Sequence, residues 1–306
     1  LGLFDAVAKE PAGAEALAAR LEASSRGMRI LCDALAGLGL LVKEGDVYRC
    51  SPAAAEYLLY ASPATKVPML LHGAKLYERW AGLYDAVKTG SPVPDDRIDP
   101  RLWGDEGGFA RAMGAIGRVS AVTAADALAR LGLLSASRTL LDVGGGPGVY
   151  AIEMARRSPA LRATVLDRPD TLDVARANVE EAGLADRVTL RPGDAFEDDL
   201  GGPYDLVFTS NFLHVFGPEE NRRLVRRAAE VLTPGGHLAV KDFLLDPERT
   251  TPQGAALFAV NMLVGTEAGD SYSIEEVHGW FREAGLAPVD TLDLTPQSRL
   301  TVGRKG

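Results

Sequence analysis

The 306-residue sequence predicts an α/β protein in which a mainly helical amino-terminal region precedes an open, mostly parallel sheet. Short apolar runs at residues 140–143, 163–166, 187–190 and 205–209 are typical of buried strands, and helix-like segments separate most of them. Strands and helices that alternate in this way form a Rossmann-like sheet. The first 60 residues have a different pattern, in which short helices precede a small hairpin.

The composition is that of a globular protein with an acidic balance: 46% of the residues are hydrophobic, 25% are charged, and the formal net charge is −9. This charge disfavours nonspecific binding to nucleic acid or to anionic membranes, and no apolar run is long enough to span a bilayer. Cys32 and Cys50 lack metal-ligand spacing, so we expect free thiols, no metal and a cytoplasmic location. We expect two domains, residues 1–100 and 101–306, and further residues before Leu1.

The amino-terminal region has the helix–helix–hairpin pattern of a winged helix. Residues 14–21 and 28–38 have helical periodicity, and residues 40–43 and 47–49 flank a turn at Gly45. Winged helices often bind DNA, but the second helix lacks a basic face and the chain is acidic. Because the helices are rich in Leu and Ala, we expect dimerisation instead. The apolar stripe of the second helix is formed by Ile30, Leu31, Leu35 and Leu38.

The segment between the two halves is mainly helical. Residues 66–90 are expected to form one or two helices, residues 91–96 a loop, and the stretch to Gly104 irregular structure. Residues 109–134 are expected to form a long helical region that leads into the sheet.

A glycine-rich turn follows the first strand of the sheet. Glycines stand at 144, 146 and 148, Asp142 precedes them, and a helix-like segment begins at Val149. The dinucleotide fingerprint needs Gly-x-Gly-x-x-Gly, which this spacing does not match. The tighter turn suits S-adenosylmethionine (SAM), which lacks phosphate but carries ammonium and sulfonium cations that favour a nearby carboxylate. Glycines also let the backbone approach a ligand closely. A glycine-rich turn that binds nothing is the alternative.

Further polar residues follow the other strands at the same edge of the sheet, where open α/β folds bind ligands. Asp167 lies about 20 residues beyond the glycine loop, where an acidic residue bonds ribose hydroxyls. Asp194 would accept a hydrogen bond from the adenine amino group, and Phe196 would cover the ring. The predicted cofactor-binding residues are Asp142, Gly144, Gly146, Gly148, Asp167, Asp194, Ala195, Phe196, Ser210 and Asn211.

Two motifs, at residues 141–148 (LDVGGGPG) and 232–238 (LTPGGHL), closely resemble those of the class I SAM-dependent methyltransferases of small-molecule O-methyltransferase type. That family includes plant caffeic acid, acetylserotonin and bacterial polyketide O-methyltransferases. Residues 3–58 are similar to its dimerisation domain, so the resemblance covers nearly the whole chain. It implies a homodimer through a winged-helix domain, a small-molecule acceptor, and a seven-stranded sheet that ends in an antiparallel pair, at residues 289–294 and 299–302.

The candidate general base is His214, which follows the fourth strand where the resemblance places the family's catalytic histidine. A neutral imidazole accepts the proton of a phenol or enol at physiological pH. A structural or substrate-orienting histidine is the alternative. The other histidines, His72, His237 and His278, fall in helices or a turn.

The supporting carboxylates depart from the family pattern. Asp242 matches the first position, with Asp in place of the usual Glu, although a strand-end charge facing solvent is the alternative. The second position falls on Ser271, with Asp270 beside it, and we take Asp270 as the candidate. The plant enzymes have Asp-Trp after the histidine, whereas this chain has Val215 and Phe216. A less supported base would suit an acidic phenol or enol, and it also leaves open methylation at an activated carbon.

The acceptor pocket is expected between the domains. By resemblance its wall includes Trp80, Met113, Phe212, Phe258, Asn261 and Met262, although residues with this spacing often belong to a helix core. The mostly apolar wall predicts a small aromatic or polyketide-like acceptor. We therefore expect an O-methyltransferase, with a C-methyltransferase or a non-catalytic SAM-binding regulator as alternatives.

Overall fold

The computed structural model describes residues 1–99 and 108–306, which form two compact units, Leu1–Leu71 and His72–Gly306. The division falls within a helix at Val67–Ala81. Most of the helical segment predicted at residues 66–90 therefore belongs to the larger unit, whereas the sequence placed the boundary near residue 100. Residues 100–104, part of the stretch expected to be irregular, lie outside the described residues.

The smaller unit is mainly helical and carries one hairpin. Its elements are α1 (Leu3–Lys9), α2 (Ala14–Arg20), α3 (Ser25–Gly37), β1 (Leu41–Glu44), β2 (Val47–Cys50) and α4 (Pro52–Tyr57). The Ser24 side chain caps α3 by accepting a hydrogen bond from the Gly27 N–H. The strands pair antiparallel around Gly45, whose φ of 60° suits a tight turn. The predicted hairpin is therefore confirmed.

The core of this unit includes only Leu35 of the predicted stripe of α3, and Leu35 is only partly buried there. Met28 and Cys32 are buried against Val7, Leu17 and Tyr48. By contrast, three of the four stripe residues are exposed, namely Ile30 (46%), Leu31 (38%) and Leu38 (74%). The stripe therefore forms an apolar outer surface of α3.

The larger unit is an α/β domain. Its helices are α5 (Val67–Ala81), shared with the smaller unit, α6 (Leu83–Thr89), α7 (Gly108–Arg130), α8 (Leu133–Ala136), α9 (Val149–Arg157), α10 (Pro169–Glu181), α11 (Pro218–Glu230), α12 (Gln253–Gly265) and α13 (Ile274–Glu283). Its strands are β3 (Thr139–Val143), β4 (Arg162–Asp167), β5 (Val188–Pro192), β6 (Tyr204–Ser210), β7 (Leu232–Asp242), β8 (Leu286–Thr295) and β9 (Ser298–Lys305). The long helix expected at residues 109–134 is interrupted at Gly132, whose φ is 75°.

The sheet has seven strands in the order β5-β4-β3-β6-β7-β9-β8. Strands β3 to β7 run parallel, and β9 pairs antiparallel with both β7 and β8. The predicted seven-stranded sheet with a final antiparallel pair is confirmed. The strand order reverses between β3 and β6, so a crevice is expected beyond their carboxyl ends.

Two cores cover the two faces of this sheet. Because side chains alternate along a strand, Phe208 and Ala239 face one core with α7 and α9, whereas Val207 and Val240 face the other with α11 and α13. In the described part of the chain, no helix has the length and apolar character needed to cross a membrane.

Candidate active site

The glycine loop between β3 and α9 depends on glycine for its backbone conformation and for its close packing. Gly144, Gly146 and Gly148 have φ values of 66°, 54° and 74°, a region that other residues rarely adopt. A Cβ at Gly144 would lie 2.5 Å from the Phe212 ring, and one at Gly145 would lie 2.7 Å from the Asp142 carboxylate. A Cβ at Gly146 would have no neighbour closer than 4.0 Å. The loop is therefore tightly packed against protein at Gly144 and Gly145, whereas space for a ligand remains next to Gly146.

Asp142 lies fully buried beneath this loop. Neither of its carboxylate oxygens has a donor at hydrogen-bond geometry among the described residues. Burial raises the pKa of Asp142 to about 8, the charge of Asp167 adds to this increase, and the Ala151 N–H opposes it. A buried carboxyl without a partner is costly, and a cationic ligand would remove the cost.

Asp167, at the end of β4, is fixed against the same loop. Its Oδ2 accepts a hydrogen bond from the Gly146 N–H at 2.7 Å, and its Oδ1 accepts one from the Arg168 N–H at 2.7 Å. Burial raises the pKa of Asp167, although these two N–H groups oppose the increase. Its carboxylate therefore stands beside the open position at Gly146.

These features fit SAM. The unpartnered Asp142 carboxyl suits a cation, and the open position at Gly146 leaves room for a ligand next to the backbone. Asp142, Gly146 and Asp167 would hold it, and SAM when bound supplies a methyl group made electrophilic by a sulfonium sulfur.

The loop after β5 is held by helix α11. Asp194 Oδ1 accepts a hydrogen bond from the Phe196 N–H at 2.7 Å, so part of this carboxylate is used within its own turn. Arg223 donates to the Phe196 carbonyl, and Arg227 donates to the carbonyls of the buried Ala195 and of Asp198. Sequence reasoning did not identify these arginine contacts, because partners about 30 residues away leave no local pattern.

Three phenylalanine rings form a row next to the glycine loop. The Phe216 ring lies 4.7 Å from Phe196 and 4.9 Å from Phe212, both edge to face. The Phe212 ring in turn packs against Gly144. Phe212, predicted as an acceptor residue, therefore packs on the glycine loop. Phe196 contacts Phe216 at the other end of the row, and its role in covering adenine stays a prediction.

His214 and Asp242 form a buried pair. His214 Nδ1 lies 2.7 Å from Asp242 Oδ1, and the two residues are 8% and 2% exposed. Burial alone would raise the pKa of Asp242, but the facing His214 and its hydrogen bond hold that pKa below its ordinary value. Among the described residues, nothing is hydrogen-bonded to the other ring nitrogen of His214, Nε2. Asp242 is thus turned inward and does not face solvent.

Asp270 is engaged elsewhere. Its carboxylate accepts a hydrogen bond from Arg249, and its backbone N–H donates to the His214 carbonyl at 3.0 Å. The neighbouring Ser271 hydroxyl donates to the Ala255 carbonyl. In the described part of the chain, one carboxylate contacts the imidazole, that of Asp242, and Asp270 contributes its backbone rather than its side chain.

The short turn that carries His214 is anchored by two residues that sequence reasoning did not identify. The buried Asn221 side chain donates to the carbonyls of Leu213 and Phe216. The Tyr272 hydroxyl also donates to the Phe216 carbonyl. The signal in the sequence was an Asn on the apolar face of a strongly amphipathic helix. These bonds keep His214 in place relative to β7.

The turn also begins at a fixed point. Asn211 has a φ of 54°, and its N–H donates to the Lys241 carbonyl at 2.8 Å. The buried Lys241 ammonium donates to Asn211 Oδ1 at 2.8 Å. Nearby, the Ser210 hydroxyl is buried without a partner among the described residues. Lys241 was not predicted, although a lysine in the apolar run of β7 was a visible signal.

Three of the six predicted acceptor residues contact one another or His214. The Phe258 ring stacks on Phe243 at 3.9 Å and meets His214 edge to face at 4.8 Å. The Trp80 indole N–H donates to Asn261 Oδ1 at 3.1 Å. Met262 is buried in α12, and Met113 is half-buried in α7. Residues from α5 and α12 thus form a partly apolar wall.

Comparison with known proteins gives consistent matches. Residues 104–287 match the family described as the O-methyltransferase domain, and residues 1–59 match the O-methyltransferase dimerisation domain. The chain is 32% identical to the tetracenomycin polyketide synthesis 8-O-methyltransferase of Streptomyces glaucescens, over 100% of this chain and 90% of that protein. It is 35% identical to an L-tyrosine C(3)-methyltransferase of Streptomyces lavendulae, over 51% of this chain and 43% of that protein.

Among solved structures, human N-acetylserotonin methyltransferase in complex with SAM is similar. The TM-score is 0.76 at 26% identity, and the match covers 100% of this chain and 90% of the human chain.

Proposed function

Because the chain belongs to the SAM-dependent O-methyltransferase family, we propose that it methylates a hydroxyl of a small aromatic or polyketide-like acceptor, with His214 as general base. The observation that carries the proposal is the buried pair of His214 Nδ1 and Asp242 Oδ1 at 2.7 Å. It lies at the carboxyl edge of the sheet, as does the glycine loop.

The pair sets the direction of proton transfer. Asp242 accepts the Nδ1 proton of the neutral imidazole, so the lone pair of Nε2 is available to an acceptor hydroxyl. When Nε2 takes the hydroxyl proton, the buried carboxylate stabilises the imidazolium that forms. Asp242 also accepts a hydrogen bond from the Phe243 N–H at 2.8 Å, which keeps its carboxylate oriented.

The surroundings of His214 favour a planar acceptor of moderate acidity. The stacked rings of Phe243 and Phe258 lie beside the imidazole and provide an aromatic surface. Only the Asp242 carboxylate supports the base among the described residues, so a phenol or enol suits it better than an aliphatic alcohol. The relative from Streptomyces glaucescens, named for polyketide synthesis, is consistent with such an acceptor.

A panel of acceptors with methyl-labelled SAM tests the proposal. Each phenol or enol is paired with its methyl ether, which lacks the reacting proton, and NMR identifies the labelled product. We expect label on the oxygen of at least one phenol or enol and none on the paired ethers. Transfer to aliphatic alcohols alone would contradict the acceptor class.

C-methylation is the second candidate, and the similarity to an L-tyrosine C(3)-methyltransferase favours it. The same base would deprotonate a phenol and make the adjacent ring carbon nucleophilic. The NMR of the labelled product distinguishes the two reactions, because a carbon-bound methyl group survives cleavage of aryl ethers.

We also propose a two-fold homodimer formed through residues 1–60. The exposed stripe of α3, with Ile30, Leu31 and Leu38, supports it, since an apolar surface of this kind marks an interface. The match of residues 1–59 to a dimerisation domain points to the same region. Light scattering measures the mass directly, and a monomer at micromolar concentration would contradict the proposal.

A further inference from the structure

Lys241 is a buried cation at the carboxyl end of β7. It is 3% exposed, and its ammonium makes one hydrogen bond among the described residues, to the uncharged Asn211 side chain at 2.8 Å. A lysine ammonium has three donors, and two of these have no acceptor among the described residues. The charge of the adjacent Asp242 acts on Lys241, but the Asp242 carboxylate is hydrogen-bonded to His214 instead. The site of Lys241 is therefore incomplete without an anionic or strongly accepting group.

A second lysine of the same sheet shows what a satisfied ammonium requires. Lys305, at the opposite edge of the sheet, donates to the carbonyls of Ala229, Leu232 and Glu230, at 2.7, 2.9 and 3.3 Å. Its three acceptors match its three donors. Lys241 has no comparable set, which distinguishes a structural lysine from one that has donors left for a ligand.

The neighbours of Lys241 place its free donors at the cofactor edge. Along the strands, Ser210 and Lys241 follow Phe208 and Ala239 on the face covered by α7 and α9, and the two residues pair in register. The Ser210 hydroxyl is buried and lacks a partner among the described residues. The Lys241 ammonium lies 6.0 Å from the Tyr150 ring and 5.6 Å from the Phe243 ring, at cation–π distance, but neither ring accepts a hydrogen bond from its remaining donors as a carboxylate would.

The same face carries an acidic side chain. Asp142 lies in β3, two strands from β7, and no donor among the described residues meets hydrogen-bond geometry at its carboxyl oxygens. A cation beside it would favour its ionised form. The methionine part of SAM carries an α-carboxylate in addition to its cations. We infer that Lys241, assisted by Ser210, binds the α-carboxylate of SAM, while Asp142 faces the cationic groups. This inference rests on SAM binding, and it is independent of the acceptor and of the role of His214.

Calorimetry on the full chain without any acceptor tests it. The probes are SAM and decarboxylated SAM, which lacks only the α-carboxylate. We expect the unmodified protein to prefer SAM by about 10–100-fold, as one charge-assisted hydrogen-bonded pair allows. In the Lys241→Met variant this preference should fall to roughly threefold or less, because affinity for SAM drops and affinity for decarboxylated SAM changes little.

Two control variants test whether the effect is specific to the Lys241 ammonium. Lys305→Met removes a lysine of the same sheet and should retain the preference, whereas Lys241→Arg keeps the charge and should restore part of it. If Lys241→Met does not fold, as judged by circular dichroism, Ser210→Ala replaces it, with a smaller loss in the same direction.

Other outcomes would overturn the inference. An equal loss of affinity for both probes would mean that Lys241 only holds the Asn211 turn. Unchanged affinity for both, with weaker binding of acceptor alone, would assign the free donors to an oxyanion of the acceptor.

Discussion

Asparagine in place of Asp142 is expected to stabilise the cofactor-free protein at neutral pH and to weaken SAM binding. Burial raises the pKa of Asp142 to about 8, so at pH 7 the native carboxyl keeps a proton that the unfolded chain has lost. About three pH units separate the unfolded pKa of 3.8 from pH 7. Over that range the protonated native carboxyl lowers the free energy of unfolding by roughly 4 kcal/mol. The Asn amide is itself buried without a partner, so we expect a net gain of about 1–3 kcal/mol.

The sign of the pH dependence follows from the raised pKa. The contribution of Asp142 to stability is fully present below its unfolded pKa of 3.8, and it is lost as pH rises toward about 8. The free energy of unfolding should therefore differ little between the two proteins at pH 4. As pH rises to 8, the Asp142→Asn variant should become increasingly more stable than the unmodified protein. Denaturant titrations at several pH values measure it. Asp173→Asn, an exposed carboxyl on α10, is the control and should change little.

SAM binding gives a second measurement on the same group. The cations of SAM favour the ionised carboxylate, so binding at pH 7 should release up to about one proton from the unmodified protein. Calorimetry in buffers of different ionisation enthalpy detects this release, and the Asp142→Asn variant should show none from this group. Parallel stability curves for the two proteins from pH 4 to 8 would refute the reasoning, because they would mean that Asp142 is ionised in the native state.

Four other substitutions test the remaining assignments. His214→Ala should lower kcat by about 10²–10⁴-fold with SAM affinity nearly unchanged, and the deficit should shrink as pH rises; full activity at neutral pH would remove His214 as the base. Asp242→Asn should reduce kcat less, because it orients the imidazole without taking the proton, and a larger loss than in His214→Ala would argue against this role. Gly146→Val should abolish SAM binding in calorimetry, since its φ of 54° is strained for Val and its side chain enters the open position; retained binding would place SAM elsewhere. Leu38→Glu should convert the dimer to a monomer in light scattering, and an unchanged mass would exclude the α3 stripe from the interface.

The sequence by itself determined the parts of the fold that depend on local pattern. The strand–glycine–helix segment, the strand ends at Asp167 and Ser210 and the final antiparallel pair follow from periodicity, turn residues and family resemblance, and the structure has them within a few residues. The position of His214 at the sheet edge was predictable as well, because the carboxyl ends of parallel strands meet there.

Tertiary structure decided which side chains are satisfied and by what. Asp270 stands next to the expected position, yet Arg249 takes its carboxylate, and its backbone contacts His214 instead. The stripe of α3 has the periodicity of a core, but Met28 and Cys32 fill the core of the unit and leave three of its four residues exposed. Lys241 has one acceptor where Lys305 has three. Such partners come from residues distant in the chain, and hydrogen bonds and burial depend on distances in space, which no local pattern encodes.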